Sequence, residues 1–322
     1  MNDDPLGQLG SNATDRNWER ATLEKLVFAT IREQQATRRW KIFNRLFWLA
    51  VIGAIAWLVY ASNNTTAVST PHTAVVDVKG EIASGAEASA ENVVASLRTA
   101  FEDTGAQAVV LLINSPGGSP VQAGIINDEI TRLKGLHDKK VYAVVEETCA
   151  SAAYYIAAAA DDIYVDKASL VGSIGVLMDG FGFTGLMDKL GIERRLMTAG
   201  ENKGMLDPFS PLDDNQRAYM QQMLGEIHAQ FIDVVKRGRG GRLKENGETF
   251  SGLVWNGQQA VTLGLADGLG NLDYVAREIV KAEEIVDYTQ RENVGLRLAK
   301  RFGASVGEGV FHAARAAGIS LK

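Results

Sequence analysis

One cysteine, Cys149, stands in 322 residues, so the chain has no internal disulfide framework and no Cys-rich zinc or iron–sulfur site. Histidine is almost as scarce. His72, His137, His228 and His312 are scattered, which argues against a His-rich metal centre, and none falls between His137 and His228. A basic surplus is missing too: 33 Lys and Arg face 39 Asp and Glu, for a net charge of −6. That balance argues against a nucleic-acid binder. No internal repeat of fixed period is present either.

What is present is uneven. Leu46 to Ala61 (LFWLAVIGAIAWLVYA) carries no charge, and extension back to Ile42 adds only Asn44 and Arg45. A helix over 42–61 spans roughly 30 Å, the thickness of a hydrocarbon core. Arg45 can snorkel, and Trp40, Trp48, Trp57 and Tyr60 suit the interfacial belts. Residues 31–45 hold Arg32, Arg38, Arg39, Lys41 and Arg45 against the single acid Glu33, and the next basic residue is Lys79. The positive-inside rule therefore predicts a cytoplasmic N-terminus and an exported remainder. The stretch before the run is too long for a leader's n-region, so an uncleaved anchor is expected.

The expected organisation follows from this. Residues 1–41 form a cytoplasmic segment, with a polar tail over 1–13 and a charged helix over 14–41 capped by Thr14 or Asp15. Residues 42–61 are the anchor, 62–72 a polar tether, 73–282 the main domain and 283–322 a C-terminal extension. The first 45 residues hold 8 basic and 6 acidic side chains and the remainder 25 and 33, so the exported part is acidic. The extension is basic and partly amphipathic; its pattern suits covering the domain, lying on lipid or contacting a neighbour.

Beyond Thr73, strand-like and helix-like segments alternate. Ala74–Val78, Ala108–Ile113 and Val141–Val145 are short β-branched runs suited to buried strands. Helices are predicted at about 88–103 and 120–136, from Ser151 through an Ala-rich stretch, and over 212–238, with acids in its first turn and bases in its last. This alternation predicts an α/β architecture with a mostly parallel sheet.

Two stretches carry chemistry. Ile113-Asn-Ser-Pro-Gly-Gly-Ser119 lies between a strand and a helix, and its glycines can expose N–H groups to an anion. No Gly-Lys-Ser/Thr follows, which excludes a P-loop. Glu147 to Tyr155 (ETCASAAYY) places Ser151 on a strand-to-helix turn, where a nucleophile can sit beside the next N–H as oxyanion donor. The ordinary employment of such a serine is helix capping. The histidine gap makes lysine the base to consider, and Lys167, Lys189 and Lys203 are available. Gly180-Phe-Gly-Phe-Thr-Gly185 fits G-x-G-x-x-G but lacks the setting of an early βαβ unit, and Cys149 reads as a small buried residue.

The segments INSPGGS, CASAAYYIAAAADDIYV, SLVGSIGVL and AGENKGMLDPFSP, with the closing Val254-Trp-Asn-Gly-Gln-Gln-Ala260 and Gly264-Leu-Ala-Asp-Gly268, resemble the signal peptide peptidase (protease IV) family in its short, single-copy form. The resemblance covers about residues 73–282. It implies the Clp protease/crotonase-like fold, preceded here by one N-terminal transmembrane helix. It also implies Ser151 as nucleophile, Lys203 as general base, and the Gly118 and Ala152 N–H groups as the oxyanion hole. Ser173 would orient the lysine. No cofactor or metal is implied.

The implied activity is hydrolysis of apolar peptides, such as cleaved signal peptides, by a ring-shaped homo-oligomer held in the bacterial inner membrane with its catalytic domain outside. The family often has glycines where this chain has Ala152 and Ala153, which bears on pocket size. The alternatives are a same-fold membrane protease acting on other membrane or exported proteins, a crotonase-like thioester enzyme, and an inactive peptide-binding scaffold.

Overall fold

The β-branched runs build the centre of one sheet. The computed structural model describes residues 38–57 and 70–291, in two compact units, Met1–Thr66 and Ala67–Lys322. In the second unit, β1 (His72–Lys79), β2 (Ala106–Ser115) and β3 (Lys140–Ala150) pair in parallel. They are apolar on both faces because both faces are covered. Ala74, Val76, Val78, Val109, Leu111 and Val145 point into the larger core cluster, shared with helices α2 (Ala90–Glu102), α3 (Pro120–His137) and α4 (Ala152–Ala157). Val75, Val110, Leu112 and Val144 point the other way, against Leu272 and Val275.

The remaining strands are β4 (Asp162–Val165), β5 (Leu170–Gly172), β6 (Val254–Asn256), β7 (Gly268–Leu269) and β8 (Ile285–Asp287). The order is β6-β5-β3-β2-β1-β8, with β4 paired to β3 and β7 to β4. All pairs are parallel except β5/β6. The sheet forks at β3. Its register against β2 jumps from Ile113↔Val145 to Ser115↔Cys149, leaving Glu146 and Glu147 exposed in a bulge. Before the bulge, Tyr142–Val145 pair with β4; after it, Thr148–Ala150 pair with β5. A single strand thus serves two outer partners and delivers its last residue to a different edge.

Local chemistry sets the helix starts. Ser89 and Ser119 cap α2 and α3, with Pro120 at the first helical position of α3. Asp213 accepts N–H bonds from Asn215 and Gln216 at 2.9 and 3.0 Å, so α6 (Asp214–Arg239) begins after it. Asn256 and Gln259 form a capping box at α7 (Gly257–Thr262). The Ala-rich helix predicted from Ser151 is shorter than its composition suggests. It ends at Ala157 because the chain must turn into β4, and the Asp161 N–H already donates to the Val141 carbonyl at 2.7 Å.

The far end of α6 is fixed by Arg239, which is 1% exposed. Its guanidinium donates to both Asp267 carboxylate oxygens at 2.9 and 2.8 Å and to the Gly264 carbonyl. The sheet continues past residue 282, since β8 pairs with β1. Tyr288 donates its hydroxyl proton to Asp103 at 2.5 Å and so accepts from His72 Nε2 at 2.9 Å. The other ring nitrogen of this buried imidazole lies 2.9 Å from the Thr70 carbonyl oxygen. This network fastens the start of β1 to the last described residues.

In the first unit, residues 38–57 form helix α1. The expected span 42–61 is thus helical as far as residue 57, and 58–61 lie outside the described residues. Among the described residues, no helix is long and apolar enough to cross a membrane. In the described part of this helix, Arg38, Arg39, Lys41 and Arg45 occupy the first half and residues 46–57 carry no charge. The expected tail 1–13, most of the helix 14–41, residues 62–69 of the tether and most of the extension also lie outside the described residues.

Helices α2 and α3 are joined by Glu129, 9% exposed, which accepts from Arg98 and Arg132. Arg132, then Arg98, hold its carboxyl at about 2, against an ordinary 4.5. A depressed carboxylate stabilises the fold above its unfolded pKa, and that contribution is lost as pH falls. Urea unfolding of the full chain is therefore expected to show stability falling between about pH 4.5 and 2. Glu129→Gln should cost about 1.5–3 kcal/mol at neutral pH and progressively less toward pH 2. Equal stability of the two proteins at neutral pH would contradict the assignment.

Candidate active site

Ser151 lies where β3 becomes α4, with φ 53° and ψ −122°. A side chain rarely adopts such a backbone conformation, and holding it there costs about 1–3 kcal/mol. Two hydrogen bonds impose it: the Ser151 N–H donates to the Gly172 carbonyl at 2.8 Å, and its carbonyl accepts from Tyr155 N–H at 3.1 Å. In this conformation the hydroxyl makes no capping hydrogen bond to α4. The ordinary employment of a serine at a helix start is therefore ruled out, and the half-buried Oγ is unspent.

The glycine turn lies alongside. Gly118 forms an isolated parallel bridge with Ile82: the Ile82 N–H donates to the Gly117 carbonyl at 2.9 Å and the Ser119 N–H to the Ile82 carbonyl at 2.7 Å. In such a bridge the N–H of Gly118 itself points away from Ile82. Among the described residues, neither the Gly118 N–H nor the Ala152 N–H is engaged by another group. Two free donors thus flank one unspent hydroxyl, an arrangement suited to holding a developing oxyanion.

Sequence reasoning singled out Gly118 and missed what Gly117 does. A Cβ on Gly117 would lie 2.8 Å from the Ala150 carbonyl oxygen, 2.8 Å from Ser151 Cβ and 3.1 Å from the Ala152 nitrogen. Its φ of 107° also excludes a side chain. Gly117 is the contact that brings the turn against the serine, and its signal was the first glycine of Pro116-Gly117-Gly118. At Gly118 a Cβ would meet the Ile82 carbonyl oxygen at 2.2 Å.

Ser173 directly follows Gly172, the acceptor for Ser151. It too has positive φ, 50°, and its N–H donates to the Leu253 carbonyl at 2.8 Å. Lys203 is placed differently. It sits in an exposed turn, its N–H donating to Gly200 at 3.1 Å, and no hydrogen bond or ion pair joins it to Ser151 or Ser173 among the described residues. That turn belongs to an excursion, 173–213, between β5 and α6, which includes α5 (Thr184–Leu190).

The excursion folds mostly on itself. Phe183 stacks on Phe209 at 5.5 Å, and Arg194 pairs with Asp207 at 2.9 Å. The Ser210 hydroxyl, with Arg194, holds the Asp207 carboxyl below its ordinary range. α5 has no buried residue, and Leu177 and Met197 are 81% and 94% exposed. The chain therefore brings Ser151, Ala152 and Ser173 together with the glycine turn alongside, and among the described residues no hydrogen bond or ion pair links Lys203 to them.

Cys149 is fully buried, and burial pushes its thiol well above the ordinary range, which suits packing rather than nucleophilic attack. Among the described residues, no group of three or more His, Cys, Asp or Glu could hold a metal ion. The cavity of about 450 Å³ among Leu112, Val144, Glu146, Asp166, Leu269 and Asn271 does not include Ser151. Gly117→Ala is expected to destabilise the fold by about 2–5 kcal/mol through combined strain and overpacking, measured by urea unfolding. Parent-like stability would contradict the close approach of turn and serine.

The sequence model of peptidase family S49 matches residues 136–286. A Na(+)/H(+) antiporter NhaA of Brucella melitensis is 51% identical over 178 residues, which are 55% of this chain and 24% of that one. The chain thus spans about a quarter of that relative's length. A putative signal peptide peptidase SppA of Enterococcus faecium is 30% identical over 62% of this chain and 58% of its own. A putative protease of Methanocaldococcus jannaschii is 33% identical over 215 residues, 65% of this chain and 68% of the relative. With a matching family model that contains the strained serine, and a relative named as a protease that is 33% identical and covered over 68% of its length, the chain belongs to peptidase family S49.

Proposed function

We propose that this serine peptidase is a membrane-anchored endopeptidase with a Ser151–Lys203 dyad, which degrades apolar peptides such as cleaved signal peptides. The observation that carries the proposal is Ser151 itself: a serine held in a strained turn, its hydroxyl withheld from capping, beside two unengaged N–H groups. The forked, mostly parallel sheet is consistent with a Clp protease/crotonase-like architecture. The relative named signal peptide peptidase supports the substrate class. The apolar run 42–61 and the basic residues before it support an anchor in the bacterial inner membrane, with the peptidase unit on the extracytoplasmic side.

In the proposed reaction, neutral Lys203 Nζ takes the Ser151 hydroxyl proton as Oγ bonds to the peptide carbonyl carbon. The carbonyl oxygen becomes an oxyanion between the Gly118 and Ala152 N–H groups. The C–N bond breaks as Lys203 returns the proton to the leaving amine, giving an acyl-serine. Water then loses a proton to Lys203 as it attacks the acyl carbon. The C–Oγ bond breaks, Lys203 returns that proton to Oγ, and the acid product leaves with Ser151 and neutral Lys203 restored. Ser173 orients the lysine. No cofactor takes part.

A neutral lysine near neutral pH requires desolvation, and Lys203 is exposed in the single chain. A homo-oligomeric ring supplies the missing cover if a second copy packs on the apolar excursion that carries Lys203. Ser151→Ala and Lys203→Ala are each expected to lower kcat/KM for an apolar peptide at least about a thousandfold with the fold intact. Full activity in either variant would remove that residue from the mechanism. Membranes loaded with a freshly released signal peptide test the substrate class: the peptide should disappear with the parent protein and persist with Ser151→Ala.

A further inference from the structure

Trp255 holds the only buried side-chain nitrogen or oxygen without a hydrogen-bond partner among the described residues, its indole Nε1. An unpaired buried donor is costly, so a tryptophan retained there is held for something other than hydrogen bonding. Its place in the fold says what. Trp255 lies on β6, opposite Val171 in the antiparallel pair with β5. A Cβ on Gly172 would lie 3.0 Å from Trp255 Cδ1 and 3.5 Å from its Nε1, so the pyrrole edge of the indole rests on the Gly172 Cα. Gly172 has φ 111° and Ser173 φ 50°, and the Gly172 carbonyl is the acceptor that holds the Ser151 N–H.

We propose that Trp255 is a positioning residue: the edge of its indole blocks relaxation of Gly172–Ser173 and thereby keeps Ser151 from collapsing into an ordinary helix cap. The inference rests on Ser151 being the nucleophile. β5 has only three residues, and its outer neighbour β6 is also three residues long, so few backbone bonds oppose relaxation of the strained pair. The bulky ring adds a steric stop where hydrogen bonding is thin. Without it, the Gly172 carbonyl can move, Ser151 can leave positive φ, and its hydroxyl can turn to the free N–H groups of α4. A capped hydroxyl is a poor nucleophile, whereas peptide contacts made away from Ser151 are unaffected.

The test uses the full chain in detergent with three variants, Trp255→Ala, Trp255→Leu and Trp255→Phe. Phenylalanine keeps a ring atom at the Cδ position and lacks the N–H. The readouts are kcat and KM on an apolar peptide, the rate of labelling by a fluorophosphonate with the labelled residue mapped by mass spectrometry, and the thermal midpoint. The alanine and leucine variants are expected to lose about a hundredfold in kcat and in labelling rate, with KM close to the parent's and both proteins folded at the assay temperature. The phenylalanine variant is expected to keep most of both rates.

Labelling of the alanine and leucine variants at the parent's rate overturns the proposal and leaves Ser151 as nucleophile. Loss of activity only in step with loss of folded protein, or loss in the phenylalanine variant equal to that in alanine, also overturns it. A parent protein labelled at a residue other than Ser151 overturns the proposal together with the Ser151 mechanism, and the mapped residue separates that failure from the others.

Discussion

The hydrogen bond from the Ser151 N–H to the Gly172 carbonyl joins two places where the backbone takes positive φ. At one end is a serine with φ 53°, at the other a glycine and a serine with φ 111° and 50°. The bond exists because β3 changes partner at its bulge and carries its last residues out to β5. Strain of this kind persists only where the surroundings over-determine it. Here they do so from three sides: β5 through the hydrogen bond, Gly117 through a contact that leaves no room for a methyl group, and α4 through the Tyr155 N–H. A serine free to relax would be able to cap α4.

The rest of the fold keeps that arrangement rigid. The helices α2, α3 and α4 share one core with the inner face of the sheet, and Asn127 on α3 donates to the Tyr155 carbonyl in α4 at 2.8 Å. Tyr154, fully buried, donates to the Leu265 carbonyl, and Arg239 binds Asp267 two residues further on. Elements distant in sequence therefore converge behind the serine. In contrast, the excursion 173–213 presents apolar side chains to solvent, and the lysine assigned as base sits on it. One half of the proposed dyad is built by the domain core, and the other awaits cover.

Much of this was legible in the sequence for identifiable reasons. The β-branched runs at 74–78, 108–113 and 141–145 are buried on both faces, so composition alone marks them, and Asp213 and Ser119 announce the helices they cap. Ser151 was legible as a strand-to-helix serine, but its freedom from capping depends on a carbonyl 21 residues away in another strand, which no local pattern reveals. The fork at β3 was illegible because Glu146-Glu147-Thr148 reads as the end of a strand rather than a bulge within one. Gly117 was overlooked because its neighbour is set by tertiary approach. Lys203 was marked by family resemblance alone, and its exposed turn offers nothing local to distinguish it from a solvated lysine.

The most direct measurement is a crystal structure of the protein with a peptide aldehyde or boronate trapped in the active site. The account predicts continuous density from Ser151 Oγ to the inhibitor, with the former carbonyl oxygen about 2.7–3.1 Å from both the Gly118 and Ala152 nitrogens. An inhibitor bonded to another residue, or an oxygen turned away from both nitrogens, would contradict it.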